Sequence, residues 1–321
     1  MNPTLNPTPL VSVVVPMHNA EAYISETVRS ILQENNTALE VVVVSDACTD
    51  ASPERVHQIG DSRIRMIEGP GRGYVAAVNA GFAAAHGEII MRCDADDLFP
   101  AQRIMRQAEW LTQHPEWGAV CGGFATIDAN GRLIANLRTN LAEEITEELQ
   151  NGIIRNHFCT YAIRAEWIKA LGGARPELNG SSELDILLRL SELTRVWYLP
   201  EIDYFYRLHD QSLTHNQRNV ERLFFDDLIV KLQKQRRTQG QDDLQLGIPL
   251  PAAPTTEDDS VLAVDEHVQG QLLGRAWQEH QAGQKFRALA TGVRSVATHP
   301  KNMGAWRSLL ALAVKPAEKK E

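Results

Sequence analysis

Basic charge is in short supply: 32 Lys and Arg stand against 41 Asp and Glu, a formal net charge of −9. A surface that tracks nucleic acid needs clustered Lys and Arg, so nucleic acid is excluded as a partner. A nucleotide held through metal and backbone groups is compatible with the acidity. Cysteine is sparse too. Cys48, Cys93, Cys121 and Cys159 form no Cys-x-x-Cys pair, which excludes a zinc ribbon and a dithiol redox motif. They are expected to be free, mostly buried thiols of a reducing compartment, and the expected localisation is cytoplasmic. No apolar run is long enough to cross a bilayer, Met1 to Leu10 carries no secretory pattern, and no internal repeat is found.

What is present is a patterned chain of 321 residues, 43% of them hydrophobic, enough for one large domain and a smaller appendage. Val11-Ser12-Val13-Val14-Val15-Pro16 and Leu39-Glu40-Val41-Val42-Val43-Val44 are β-branched runs of the kind that become buried parallel strands. Between them Ile24, Val28, Ile31 and Leu32 recur at helical spacing, predicting an amphipathic helix from about Ala22 to Glu34. Ser52-Pro53 then supplies a helix cap and a first-turn proline. A third strand is expected over Ile64 to Glu68, an Ala-rich helix through about Ala85, and a fourth strand from Glu88 to Cys93. Such alternation predicts an α/β fold with an open, mainly parallel sheet flanked by helices.

Past Ala119 the pattern loosens. The sequence shows a turn at Asp128 to Gly131, a polar helix near Ala142 to Gln150 and a strand-helix pair ending at Gly172-Gly173. A capped, Leu-rich helix follows with Glu183 in its first turn, then strand-like runs at Val196 to Leu199 and Tyr204 to His209. Residues 1–218 are thus expected to form one domain in two parts, about 10–118 and about 119–218. A helical C-terminal region, 219–321, is expected to carry a loose linker at about 235–259, rich in Gln, Pro, Asp and Thr. Its last stretch has helical spacing in two segments divided at His299-Pro300.

Ligands of such sheets collect beyond the carboxyl ends of the strands. Here those ends carry His18-Asn19, Ser45-Asp46, the loop Gly69-Pro70-Gly71-Arg72-Gly73 and the cluster Asp94-Ala95-Asp96-Asp97. Carboxylates at a strand end offer hard oxygen ligands that Mg²⁺ or Mn²⁺ and a diphosphate could share. The plainer reading is that Asp96 or Asp97 caps the next helix.

Taken in order, Val-Ser-Val-Val-Val-Pro-Met-His-Asn, Val-Val-Val-Val-Ser-Asp, Asn79-Ala80-Gly81 and Asp94-Ala95-Asp96-Asp97 resemble the family 2 glycosyltransferases with the GT-A fold, over about residues 10–215. The resemblance implies an inverting transfer of sugar from a UDP- or other nucleotide-sugar donor to a glycan, lipid-linked or other hydroxyl acceptor. It implies nucleotide contacts at Pro16, Asn19, Glu21 and Asp46, a donor and metal pair at Asp94 and Asp96, and a Mn²⁺ or Mg²⁺ cofactor. His209 falls at a family position near the metal, and Arg207 is an alternative diphosphate contact.

Two departures stand out. Ser182-Glu183 replaces the family's Glu-Asp, so the general base is Glu183, with Asp185 as competitor; residues two apart on a helix do not share a face. Val78 stands where the family commonly has Arg, and Arg72 in the glycine loop is the candidate substitute for a phosphate or base contact. The alternatives are a nucleotide-sugar-binding module that lacks turnover and a dinucleotide-dependent oxidoreductase, the latter suggested by the glycine loop. The C-terminal apolar residues are expected either to pack on a core or to touch a membrane peripherally, next to Arg307, Lys315, Lys319 and Lys320.

Overall fold

The computed structural model describes residues 9–35, 37–210, 219–254 and 264–315. Strands β1 (Val11–Met17), β2 (Leu39–Ser45), β3 (Ile64–Glu68) and β4 (Ile89–Arg92) alternate with helices α1 (Ile24–Leu32), α2 (Ser52–His57) and α3 (Tyr74–Ala84). β1 runs parallel to both β2 and β4, and β2 parallel to β3. Val13, Val14 and Val15 of β1 and Val41 to Val44 of β2 are fully buried. A strand covered on both faces has no solvent side, so its apolar residues run on instead of alternating.

Helix α3 approaches this sheet closely. A Cβ at Gly81 would lie 2.2 Å from Val14 Cγ1, so only glycine fits. Asn79 anchors the same helix by accepting from Ala174 N and donating to Ala174 O, both at 2.8 Å. Val78, where the family commonly has Arg, is a core residue.

The loosening after Ala119 reflects a change of strand direction. β5 (Ala119–Asp128), β8 (Ala162–Arg164) and β9 (Val196–Leu208) complete a sheet ordered β3-β2-β1-β4-β8-β5-β9-β7, with β7 (Glu143–Glu144) at its end and β6 (Leu133–Leu137) paired to β5. β8 is antiparallel to β4 and β5, and antiparallel strands need no helix between them. The two strand-like runs after Val196 are one strand through Pro200. The polar helix near residue 142 begins later, as α5 (Thr146–Gln150). Helices α4 (Arg103–Gln113), α6 (Ala165–Leu171) and α7 (Ser182–Leu193) surround the sheet. Ser181 precedes α7 without capping it, because its hydroxyl bonds Asp226 at 2.9 Å.

Contacts divide the chain into two compact units. The first comprises Met1–Phe124, Arg138–Phe205 and Val220–Thr256; the second comprises Ala125–Leu137, Tyr206–Asn219 and Glu257–Glu321. This division does not follow the expected boundary at 218. Helix α8 (Asn219–Gln239) belongs with the first unit, where Leu228, Ile229 and Leu232 pack on Leu178 and Leu188. The expected linker at 235–259 is also corrected: 235–239 finish α8, and Asp242 is fully buried, accepting from Arg175 at 2.7 Å and Arg236 at 2.5 Å. Residues 255–259 lie outside the described residues.

The second unit joins β6 to α9 (Val264–Gln281) through Ile134, Leu208, Val268 and Leu272, and α9 to α10 (Lys285–Thr298) and α11 (Met303–Val314) through Ala276, Ala288 and Leu312. Three helices stand where the spacing predicts two. The break at His299-Pro300 is as expected, and the additional one ends at Gly283, which takes φ 78°. Lys319 and Lys320 lie outside the described residues. No helix among the described residues is long and apolar enough to cross a membrane. All four cysteines are free, and Cys93, Cys121 and Cys159 are buried.

Candidate active site

The carboxyl ends of β1 and β2 are laced together by side chains. Pro16 is buried within β1 opposite Val44. Asn19 Oδ1 accepts from Thr49 N at 2.8 Å, Glu21 Oε2 accepts from Ala51 N at 3.0 Å, and Asp50 Oδ2 accepts in return from Glu21 N at 3.1 Å. Asn19 takes φ 47° to make its turn, a conformation Asn tolerates better than most residues. His18 Nδ1 lies 2.7 Å from the Asp46 carbonyl oxygen.

Asp46 turns its own carboxylate into the glycine loop. It accepts from Gly71 N at 2.6 Å and Gly73 N at 3.1 Å, and a Cβ on Gly69 would come within 2.6 Å of its Oδ1. These N–H groups are the ones a pyrophosphate would need, so the oxidoreductase alternative loses the basis of its binding turn. Arg72 stands exposed in the same loop.

At the end of β4 the apolar strand carries one cation. Arg92 is 1% exposed and meets Glu183 at 2.5 Å and Asp94 at 3.2 Å, with Cys159 Sγ also against its guanidinium. Its Cζ sits 5.3 Å from the Tyr74 ring centroid and 5.5 Å from that of Phe158. Burial alone would lower the Arg92 pKa, yet Asp94, Cys159 and Glu183 hold it well above its ordinary value. Burial conversely pushes the Asp94 carboxyl up to about 6, against the pull of Arg92 and with a push from Glu183 and Asp96. Asp94 N donates to the Tyr204 hydroxyl at 3.0 Å, which fixes the strand end to β9.

Helix α7 offers its two acidic residues to different neighbours, as their spacing requires. Glu183 accepts from the Tyr74 hydroxyl as well as from Arg92, and its side chain is 27% exposed. Asp185 is fully buried and accepts from Arg189 Nε at 2.7 Å, with Arg175 Nε at 3.4 Å. Only Glu183 of the pair therefore reaches the rim. His157 is nearby electrostatically; burial pushes its imidazole pKa down, and the Glu183 charge opposes that.

The capping explanation for the aspartate cluster does not hold. Helix α4 has Gln102 at its N-cap with no side-chain cap bond. Asp96 is half-buried and Asp97 fully buried. Among the described residues no group of three His, Cys, Asp or Glu could hold a metal. Asp94 and Asp96 supply two hard oxygen donors, a set that suits Mg²⁺ or Mn²⁺ when diphosphate and water complete the sphere. Arg92 and Cys159 both approach Asp94 on Oδ2. His209 follows β9 in the second unit and is mostly buried. Arg207, also in that unit, is buried and donates to the Ala129 carbonyl at 3.0 Å, which gives it a structural place.

Sequence reasoning missed Arg92, Tyr74 and Cys159 as parts of this site. A signal for the first was present: a charge inside an otherwise apolar buried strand must have partners supplied by other elements.

The family described as Glycosyl transferase family 2 matches residues 12–172. Curated relatives include a hyaluronan synthase of Pasteurella multocida, 27% identical over 68% of this chain and 22% of its own length. A chondroitin synthase of the same species, strain Pm70, is 28% identical over 71% of this chain and 24% of its own. The chain thus spans about a quarter of the length of these relatives. Among solved structures, a mannosyltransferase from Pyrobaculum calidifontis in complex with GDP-Man and Mn²⁺ superposes with a TM-score of 0.54 at 22% identity, covering 98% of this chain and 88% of that one. S. aureus TarS residues 1–349 with UDP-GlcNAc gives 0.53 at 17%, covering 94% and 90%. Those likenesses show the GT-A fold, and with the matched sequence pattern they establish that the chain belongs to glycosyl transferase family 2.

Proposed function

We propose that the chain transfers a sugar from a nucleotide-diphospho-sugar to a hydroxyl acceptor in polysaccharide or glycoconjugate biosynthesis, with Glu183 as general base. The observation that carries this reading is the Arg92 bridge, which holds the strand-end carboxylate Asp94 and the helix carboxylate Glu183 on one guanidinium. A donor-binding group and a proton acceptor are thereby fixed relative to each other before substrate arrives, which is where a positioned site gains rate.

In the proposed step Glu183 takes the acceptor's hydroxyl proton while that oxygen bonds the anomeric carbon. The bond from that carbon to the diphosphate oxygen breaks with inversion. Asp94 and Asp96 would hold a Mn²⁺ or Mg²⁺, which when bound neutralises charge on the departing nucleoside diphosphate. The laced ends of β1 and β2, with Pro16, Asn19, Glu21 and Asp46, form the floor for the nucleoside, and exposed Arg72 can reach a phosphate. The nucleotide-sugars and Mn²⁺ named for the structural neighbours support a UDP- or GDP-linked donor and a divalent cofactor here. Four free thiols suit a reducing, cytoplasmic setting.

The test is nucleoside diphosphate release from a panel of UDP- and GDP-sugars with and without Mn²⁺. Asp96→Ala should abolish the metal-dependent rate, and Glu183→Gln should lower transfer by about 10²–10⁴-fold. Full rate in Glu183→Gln would overturn the base assignment. Donor binding with no turnover in the wild-type chain would favour the binding module instead.

A further inference from the structure

We infer that helices α10 and α11 form a docking face for an anionic lipid surface. Helix α11 is built inside out. It buries Ala305 and Leu312, the latter against Ala276 and Ala288, and turns Met303, Trp306, Leu310 and Val314 outward. Those four recur at steps of three and four, so they form one stripe along the helix. Met303 is 66% exposed, Leu310 64% and Val314 82%. On α10, Phe286 is 92% exposed and Val293, two turns on, is exposed as well. Surface helices ordinarily show the opposite arrangement, and outward apolar stripes mark interaction sites.

Charge selects the partner. Residues 285–315 contain six Lys and Arg and no Asp or Glu, in a chain whose net charge is −9. The ion pairs of this unit include Arg275–Glu279 and His299–Asp265, and among the described residues none of the six is paired with a carboxylate. Arg287 and Arg294 are exposed on α10 about a quarter-turn from Phe286 and Val293, with Arg294 also donating to the Leu133 carbonyl at 3.2 Å, and Arg307 follows Trp306 on α11. Apolar side chains for insertion, a tryptophan and cations without counter-charges are what an interfacial helix presents to acidic headgroups. A second copy of the chain is a poorer fit, since pairing two such faces sets cations against cations.

The test is co-sedimentation of the full chain with vesicles of phosphatidylglycerol and phosphatidylcholine, or of phosphatidylcholine alone. Binding is expected to the anionic vesicles only and to weaken as salt rises. Arg287→Gln with Arg294→Gln should weaken it about fivefold per charge lost. Trp306→Ser with Leu310→Ser should weaken it at least tenfold. Phe286→Ser should also weaken it, and at 92% exposure this change leaves the fold intact, which an unchanged melting temperature verifies. Three results overturn the inference: no binding to either vesicle, equal binding to both, or concentration-dependent self-association that the Trp306 and Leu310 substitutions abolish.

Discussion

Arg92→Met isolates what the buried cation does. The substitution keeps an apolar stem among Tyr74, Phe158 and Cys159 and removes the charge that Asp94 and Glu183 share. Breaking a buried ion pair from one side costs about 3–5 kcal/mol. Asp94 and Glu183 are 28% and 27% exposed, so water takes back part of that cost, and a loss of about 2–4 kcal/mol is expected. Urea unfolding at fixed pH would measure it, provided the slope with denaturant is unchanged. The sharper assay is the cycle with Glu183→Gln. Once the arginine is gone, Glu183 is an uncompensated charge beside Asp94, so neutralising it should return about 1–3 kcal/mol in the double variant. Arg92→Lys separates charge from geometry: it should recover much of the stability, yet less of the transfer rate, because an ammonium lacks the planar fork that holds two carboxylates at once. A single variant within about 0.5 kcal/mol of wild type, or strict additivity in the cycle, would refute the reasoning.

Asp185→Asn should show the reverse profile from Glu183→Gln. It removes the carboxylate that pairs with buried Arg189, while Arg175 keeps Asp242, and costs about 3 kcal/mol, while the rate per folded molecule stays near wild type; urea unfolding beside a transfer assay checks both. Gly81→Ala places a methyl 2.2 Å from Val14 Cγ1, so α3 must lift from the sheet at about 1–3 kcal/mol, read from the same unfolding curves. Burial raises the Asp203 carboxyl from 3.8 to about 6, against Arg103 and Arg106. The folded state therefore holds this proton more tightly than the unfolded chain, and the stability gained is full below about pH 4 and lost as pH climbs through 6. Wild type should lose about 2 kcal/mol relative to Asp203→Asn between pH 4 and pH 7, and a pH-independent difference in their unfolding free energies would refute this.

The sheet was legible because its cause is local. A run such as Val41 to Val44 has no polar face to turn outward, so it reads directly as a strand covered on both sides. The rim was legible for a related reason, since parallel strands point their carboxyl ends the same way and bring Asp46 and Asp94 to one edge. Partners were not legible. Arg92 and Glu183 lie 91 residues apart, and no spacing rule relates them. The glycine loop looked like an anion site and is one, but its anion is Asp46. Composition misled at residue 242: Asp242 lies in a stretch polar enough for a linker, yet Arg175 and Arg236 draw it into the first unit. Periodicity locates α11 but cannot say which side faces the core, because Met303, Trp306 and Leu310 would read equally well as a buried stripe.

The site and the fold share the same residues at Arg92. A guanidinium in the last parallel strand is tolerable only if other elements bring carboxylates to it, and Glu183 reaches it only when α7 is docked with its Leu187 and Leu190 in the main core. Strand β4 and helix α7 are thus coupled through this ion pair. A change that loosens α7 would raise the cost of Arg92 and displace the proposed base in the same event. The Glu183 side chain also suits this arrangement in a way an aspartate would not: it is one methylene longer than the residue the family pattern leads one to expect, and it spans from the first turn of α7 to both Tyr74 and Arg92. Glu183→Asp, which keeps the charge and shortens the reach, should therefore lower the transfer rate while leaving metal-dependent donor binding in place. If instead the shorter acid works as well as the longer one, the bridge to Arg92 is not what positions the base.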